Sequence, residues 1–264
     1  MNQYSLSPTY PQPSKAEIKL IRSMGQKKFR DAHQLFLAEG PKVVQELMRY
    51  FSCKLLIGTS SWFDCNAVDV PARVVNENEL SRISLLQTPQ DVMALFEKPL
   101  ATTNAPKPSA QFALALDGIQ DPGNLGTIIR TADWFGIRTI YASTDTADCF
   151  APKVVQATMG ALGRVEIVYC SLAEQLTQLQ AEGFTICGTF MQGENIYTSP
   201  IDKQVCIVMG NEGRGIREEV SRVCQRSLSI PRYTPRENGS ESLNVAIATA
   251  IVCSEFRRRS TVFS

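Results

Sequence analysis

The chain holds a single histidine, His33, among 264 residues, and no spacing of His, Cys and carboxylates that would grip a metal ion. Eight cysteines are scattered without a C-x-x-C pair, and Cys187, Cys206 and Cys253 lie inside apolar runs, so they read as buried reduced thiols. No apolar run is long enough to cross a bilayer. The opening MNQYSLSPTYPQPSK has neither a basic nor an apolar signal region, so a cytoplasmic protein is expected, with no membrane and no metal among its partners. Net charge is +1, so no overall basic excess points to nucleic acid.

What charge there is sits unevenly. Lys15, Lys19, Arg22, Lys27, Lys28 and Arg30 face only Glu17 within Lys15–Arg30, and the last helix closes with Arg257, Arg258 and Arg259. Both ends can meet phosphate, and solvated helix faces give the same pattern. The length suits one large domain or two ordinary ones. Helical periodicity at Lys15–Met24, a strand at Leu35–Ala38, a helix from Pro41 to Phe51, strands at Leu55–Gly58 and Arg73–Val75, a helix at Glu77–Ile83 and a strand at Val92–Phe96 predict a small α/β domain over residues 1–100. KPLATTNAPKPSA, from Lys98 to Ala110, carries three prolines and no periodicity, which places a linker at 101–110.

From 111 to 264 strand and helix alternate regularly. Strands are expected at Phe112–Leu116, Thr139–Ala142, Val165–Tyr169, Thr185–Phe190, Val205–Met209 and Leu228–Ile230. Helices are expected at Leu125–Phe135, Lys153–Leu162, Leu172–Gln180 and Ile216–Val223, with a last one, apolar all round, from Leu243 to Cys253. Such alternation predicts a parallel sheet covered on both faces, with ligands bound beyond the carboxyl ends of its strands.

Three loops there are unusual. In DGIQDPGNLGTIIR, Asp117–Arg130, Asn124 is placed as an N-cap and Arg130 on the helix it starts; a plain capped turn with a surface arginine reads the same way. GNEGRG, Gly210–Gly215, lets backbone approach a ligand closely or simply makes a tight turn. It lacks the Lys and Ser/Thr of a phosphate-binding Walker loop and the G-x-G-x-x-G of a dinucleotide fold. In IPRYTPRENGSESLNVAIA, Ser242 occupies an N-cap position and Asn244 the first turn, a helix start able to hold a ligand.

Taken in order, Asn124–Arg130, VMGNEGRGI and IP…SLNVAIA resemble the three motifs of the SpoU (TrmH) family of RNA ribose 2′-O-methyltransferases, and KKFRDAHQLFLAEGPKVVQEL resembles the L30e-like substrate-binding domain that precedes the catalytic domain in many members. The resemblance implies a SPOUT-type α/β catalytic domain with a parallel sheet and a C-terminal deep trefoil knot. It implies S-adenosylmethionine bound in that knot, a homodimer, and ribosomal or transfer RNA as substrate. Gly210, Ile230 and Leu243 would contact the cofactor, with Thr189 nearby. Asn124, Arg130, Glu212, Ser242 and Asn244 would line the methyl-transfer site, some from opposite protomers. The basic stretch with Lys27, Lys28 and Arg30 is then the candidate RNA contact. Because a guanidinium stays protonated, Arg130 is expected to grip phosphate and steady developing charge and not to act as the base. A non-catalytic RNA-binding or ribosome-assembly factor with the same fold is the alternative. The connection YTPRENGSE is longer and more polar than the family's usual loop, and no role is expected of Arg236 or Glu241.

Overall fold

Ser14 stands three residues before Glu17, and the two cap each other: Ser14 N–H donates to Glu17 Oε2 at 2.7 Å, and Glu17 N–H to Ser14 Oγ at 3.2 Å. Helix α1 (Lys15–Ser23) starts there. The structure is a computed structural model that describes residues 10–99, 111–234 and 242–260. The expected linker at 101–110 and residues 235–241, with Arg236 and Glu241, lie outside them. The chain forms two units, one of Met1–Leu100 with Phe150–Gly163, the other of Ala101–Cys149 with Arg164–Ser264.

In the first unit α1 is followed by α2 (Lys27–His33), β1 (Leu35–Glu39), α3 (Pro41–Leu47), β2 (Cys53–Thr59), α4 (Ser60–Cys65), β3 (Ala72–Val75), α5 (Glu77–Ile83) and β4 (Val92–Glu97). The sheet order is β1-β4-β2-β3, with β4 antiparallel to both neighbours and β2 parallel to β3. Ile21, Leu37, Ile57, Leu80 and Leu95 meet in one core beneath α1 and α5. Helices α2 and α4 escaped the sequence reading because both are short, and α4 depends on Thr59 Oγ1 accepting the Trp62 N–H at 3.3 Å. Arg30 corrects an expectation. Its side chain is buried, and Nη1 donates to the Met24 carbonyl at 2.7 Å, so it ties α2 to the end of α1 and does not reach solvent; Lys27 and Lys28 do.

The segment Phe150–Gly163, expected inside the C-terminal domain, belongs to this first unit. Its helix α7 (Pro152–Thr158) packs on β1, and Phe150 meets Phe36 at 4.9 Å between ring centroids. The helix stops earlier than periodicity suggested because Met159 turns to a left-handed conformation, φ 52°.

The second unit holds β5 (Phe112–Asp117), α6 (Pro122–Trp134), β6 (Thr139–Ser143), β7 (Glu166–Cys170), α8 (Leu172–Ala181), β8 (Thr185–Asn195), β9 (Val205–Gly210), α9 (Glu218–Ser221), β10 (Arg226–Ser229) and α10 (Val245–Ser260). Its six strands run in the order β10-β8-β9-β5-β6-β7, and every pairing is parallel. Central strands β5 and β9 carry no polar face, as strands covered on both sides require, and are buried almost end to end.

Helix α10 packs against α6 with Thr249, Val252, Cys253 and Phe256 inward, and Phe256 stacks on Phe112 at 5.7 Å. It is buried on most of its faces, with Ile247 left 56% exposed. Of the two readings of the three closing arginines, the structure bears on the plainer one. Arg257 Nε donates to the Phe135 carbonyl at 2.6 Å and closes the end of α6, Arg259 Nη1 donates to the Ser199 carbonyl at 2.7 Å, and Arg258 pairs with Glu255 at 2.8 Å. They serve the fold.

Candidate active site

Strands β5, β9 and β10 end at Asp117, Gly210 and Ser229, and each of the three motif loops leaves from one of these carboxyl ends. Asp121, just before Pro122, caps α6: its Oδ1 accepts the Asn124 N–H at 2.8 Å. The cap expected at Asn124 is thus supplied three residues earlier, which frees the Asn124 side chain. At the other helix, Asn244 and not Ser242 is the residue whose side chain satisfies the first turn, its Oδ1 accepting from Ala246 and Ile247 N–H at 3.0 and 3.2 Å.

The two asparagines then converge on one carboxylate. Asn124 Nδ2 donates to Glu212 Oε1 at 2.6 Å, Asn244 Nδ2 donates to the same oxygen at 3.1 Å, and Asn244 Nδ2 also donates to Asn124 Oδ1 at 2.9 Å. An ionised carboxylate only accepts, so it dictates which way both amides point. Three side chains from three loops close a ring, and Glu212 Oε2 takes no hydrogen bond among the described residues. Asn244→Ala removes a helix cap together with two ring bonds, and urea unfolding is expected to show a loss of about 1–2 kcal/mol.

A second set of contacts holds the glycine loop in place. Asp117, 1% exposed, accepts from Arg217 N–H and Nε, both at 2.7 Å. A carboxylate that deep needs such a partner. The bond to Asp117 raises the Arg217 guanidinium above its ordinary pKa, while the Ser143 hydroxyl, and then the charge of Arg217, hold Asp145 below the usual carboxylate range. Asn211 Nδ2 donates to the Gly118 carbonyl at 2.7 Å, and its Oδ1 accepts from Gly213 and Arg214 N–H at 2.9 and 3.1 Å. The sequence reading missed this brace. Its signal was an acid closing the otherwise apolar strand FALALD.

Beside the ring lies a cavity of 1080 Å³ lined by Thr189, Met209, Gly210, Ile230, Ser242 and Leu243, among others. A smaller cleft of 180 Å³ takes in Asp121 and Asn124, and Glu212 lines both. Thr189 Oγ1 donates to the Val208 carbonyl at 2.9 Å, so its hydroxyl serves the sheet. Gly210 is required by space: a Cβ there would lie 2.5 Å from Gly215 C and Ile216 N. Apolar walls, a close backbone turn and a few convergent polar groups suit a ligand such as S-adenosylmethionine, whose adenosine and methionine parts need both kinds of surface.

Arg130 stands apart from this assembly. It is exposed on α6, lines neither cavity, and its side chain makes no hydrogen bond or ion pair among the described residues. Six residues beyond Asn124, it lies roughly 120° around the helix from it. Lys27, Lys28 and Arg30 belong to the other unit. No His/Cys/Asp/Glu group able to hold a metal and no helix able to cross a membrane occur among the described residues.

Residues 15–94 match the MRM3-like substrate binding domain. The 23S rRNA (guanosine(2553)-2′-O)-methyltransferase RlmP of Bacillus subtilis (strain 168) is 29% identical over 248 residues, 91% of this chain and 96% of its own. Among solved structures, a TrmH-family protein from Porphyromonas gingivalis is 41% identical with a TM-score of 0.84, covering 94% of this chain and 99% of its own. An AdoMet-bound rRNA methyltransferase from Sinorhizobium meliloti is 33% identical with a TM-score of 0.81, covering 94% of this chain and 97% of its own. Residues 111–254, which contain the ring, the brace and both cavities, match the SpoU rRNA Methylase family, and the chain belongs to that family.

Proposed function

We propose that this protein methylates a ribose 2′-hydroxyl of RNA, with S-adenosylmethionine as the methyl donor. The observation that carries the reading is the ring of Asn124, Glu212 and Asn244, held between a cofactor-sized cavity and a small polar cleft. S-adenosylmethionine, when bound, supplies a methyl group on a positively charged sulfur. The chain's own residues hold and align the hydroxyl that receives it, a task positioning alone can favour strongly. Gly210, Ile230 and Leu243 form the cofactor wall, Thr189 shapes its edge, and Ser242 lies where the wall meets the ring. Asn124 and Asn244 fix the Glu212 plane through Oε1, which leaves Oε2 to accept the hydroxyl proton. Arginine is a poor base, so Arg130 is assigned to phosphate and to developing alkoxide charge.

The reading extends to a homodimer and a deep trefoil knot. Trp134, 85% exposed near the end of α6, and Ile247, 56% exposed near the start of the neighbouring α10, are large apolar side chains that a second copy would cover; Arg130, one turn before Trp134 on α6, would reach the partner's site. The knot accords with a chain end that returns, after β10, to pack on α6 and β9. The first unit is assigned to RNA through Lys27 and Lys28, and the RNA substrate assigns the protein to the cytoplasm. The similarity to RlmP favours ribosomal over transfer RNA. Mapping 2′-O-methylation across ribosomal and transfer RNA in cells with and without the gene tests the proposal. Loss of one ribose methylation, restored by the wild-type protein and not by Glu212→Ala, is expected. An unchanged map would favour a non-catalytic RNA-binding factor.

A further inference from the structure

We propose that Arg214 is a substrate-binding residue that pairs its guanidinium with an RNA phosphate flanking the target ribose. The proposal rests on the methyltransferase reading above. The glycine loop and its exit carry two arginines used in opposite ways. Arg217 is committed inward, to Asp117 and, at 3.4 Å, to Asp145. The Arg214 side chain is exposed and makes no hydrogen bond or ion pair among the described residues; Asp145 feels its charge only at longer range.

Its backbone is nevertheless fixed. The Arg214 N–H donates to Asn211 Oδ1 at 3.1 Å, Asn211 and Gly215 bond each other's backbone at 3.0 and 2.8 Å, and glycines on both sides leave no neighbouring side chain in the way. The loop thus holds a bare guanidinium at the rim of the large cavity, two residues from Glu212. A planar fork on an ordered backbone matches phosphate geometry and loses little freedom on binding.

The cofactor's carboxylate is the competing anion. An exposed pair with one small carboxylate is weak in high dielectric, whereas each phosphate contact on a nucleic acid also releases condensed counterions. The observations therefore favour RNA.

The test uses the full-length protein and purified ribosomal RNA lacking the modification, with Arg214→Ala, Arg214→Lys and, as a charge-matched control, Arg222→Ala, whose guanidinium pairs with Glu218 on α9. Arg214→Ala should weaken RNA binding about tenfold and reduce the slope of log affinity against log salt by about 0.7–0.9, the release expected for one phosphate. The loss should appear in KM for RNA more than in kcat. Arg214→Lys should restore most of the salt slope, and Arg222→Ala should leave it as in the wild type. Calorimetry with S-adenosylmethionine should give an unchanged affinity for Arg214→Ala. An unaltered salt slope and KM would overturn the proposal. So would a loss of cofactor affinity with the RNA slope retained, which would move the arginine to the cofactor's carboxylate. A wild type that binds RNA but transfers no methyl group would overturn the proposed function instead, and the salt slope would still decide Arg214.

Discussion

Arg130→Ala is expected to leave S-adenosylmethionine affinity within about twofold while single-turnover methyl transfer drops by about a hundredfold or more, as loss of a placed charge stabiliser does. The residue touches neither cavity wall, so the cofactor site has no reason to change. Arg130→Lys should recover little, because an ammonium on a flexible stem does not reproduce a two-pronged grip. A lysine is also far easier to deprotonate than an arginine. A lysine variant that reached the wild-type rate at alkaline pH would make the group a base and sink the assignment. Subunit mixing tests its reach. If Arg130 serves the partner's site, exchanging subunits of Arg130→Ala and Glu212→Ala should restore roughly a quarter of wild-type activity, since half of the dimers then hold one complete site. No recovery would place the arginine in its own protomer's site.

Gly210→Ala is the second large effect. The added methyl would meet Gly215 C and Ile216 N at 2.5 Å, and both are backbone atoms that no rotamer change can move aside. The loop must shift, and it also carries Glu212 and is tied down by Asn211 and Asp117. The expected result is a loss of stability of about 1–3 kcal/mol by chemical denaturation. Cofactor affinity should fall by about a hundredfold or more in calorimetry, since the cavity wall and the ring move together. A folded variant with wild-type affinity would show that the loop yields without cost and is no part of the cofactor wall.

The alternation of the second unit was legible because a parallel sheet buried on both faces leaves continuous apolar strands and short polar loops at fixed intervals. The motif residues were legible as types, yet their local jobs were not. Asn124 and Asp121 are both good caps, and only the geometry of Pro122 at the first helical position decides that Asp121 caps and Asn124 turns to Glu212. At the last helix the cap is Asn244 and not Ser242, two residues that sequence alone ranks alike as caps. Charge runs left two readings open. Arg30, Arg257 and Arg259 looked available for phosphate, but each satisfies a carbonyl within the fold, a use that no one-dimensional pattern distinguishes from a solvated face. Asp117 and Arg217, a hundred residues apart, leave no local signature at all.

Residues Phe150–Gly163 complete the first unit although they are made after the second has begun. On the ribosome, the N-terminal sheet can therefore pair its four strands early but lacks the cover of α7 on β1 until some fifty further residues have been added, at the usual elongation speed a delay of several seconds. Strand β1 spends that interval with Phe36 lacking one of its ring neighbours. The order of synthesis and the order of packing thus disagree, and the helix that resolves the disagreement lies between the second and third strands of the methyltransferase sheet, β6 and β7. A nascent chain halted before residue 150 would leave β1 without α7, whereas one halted after 163 already contains it, so the first sheet gains this covering helix while strands β7 to β10 of the second are still to be made.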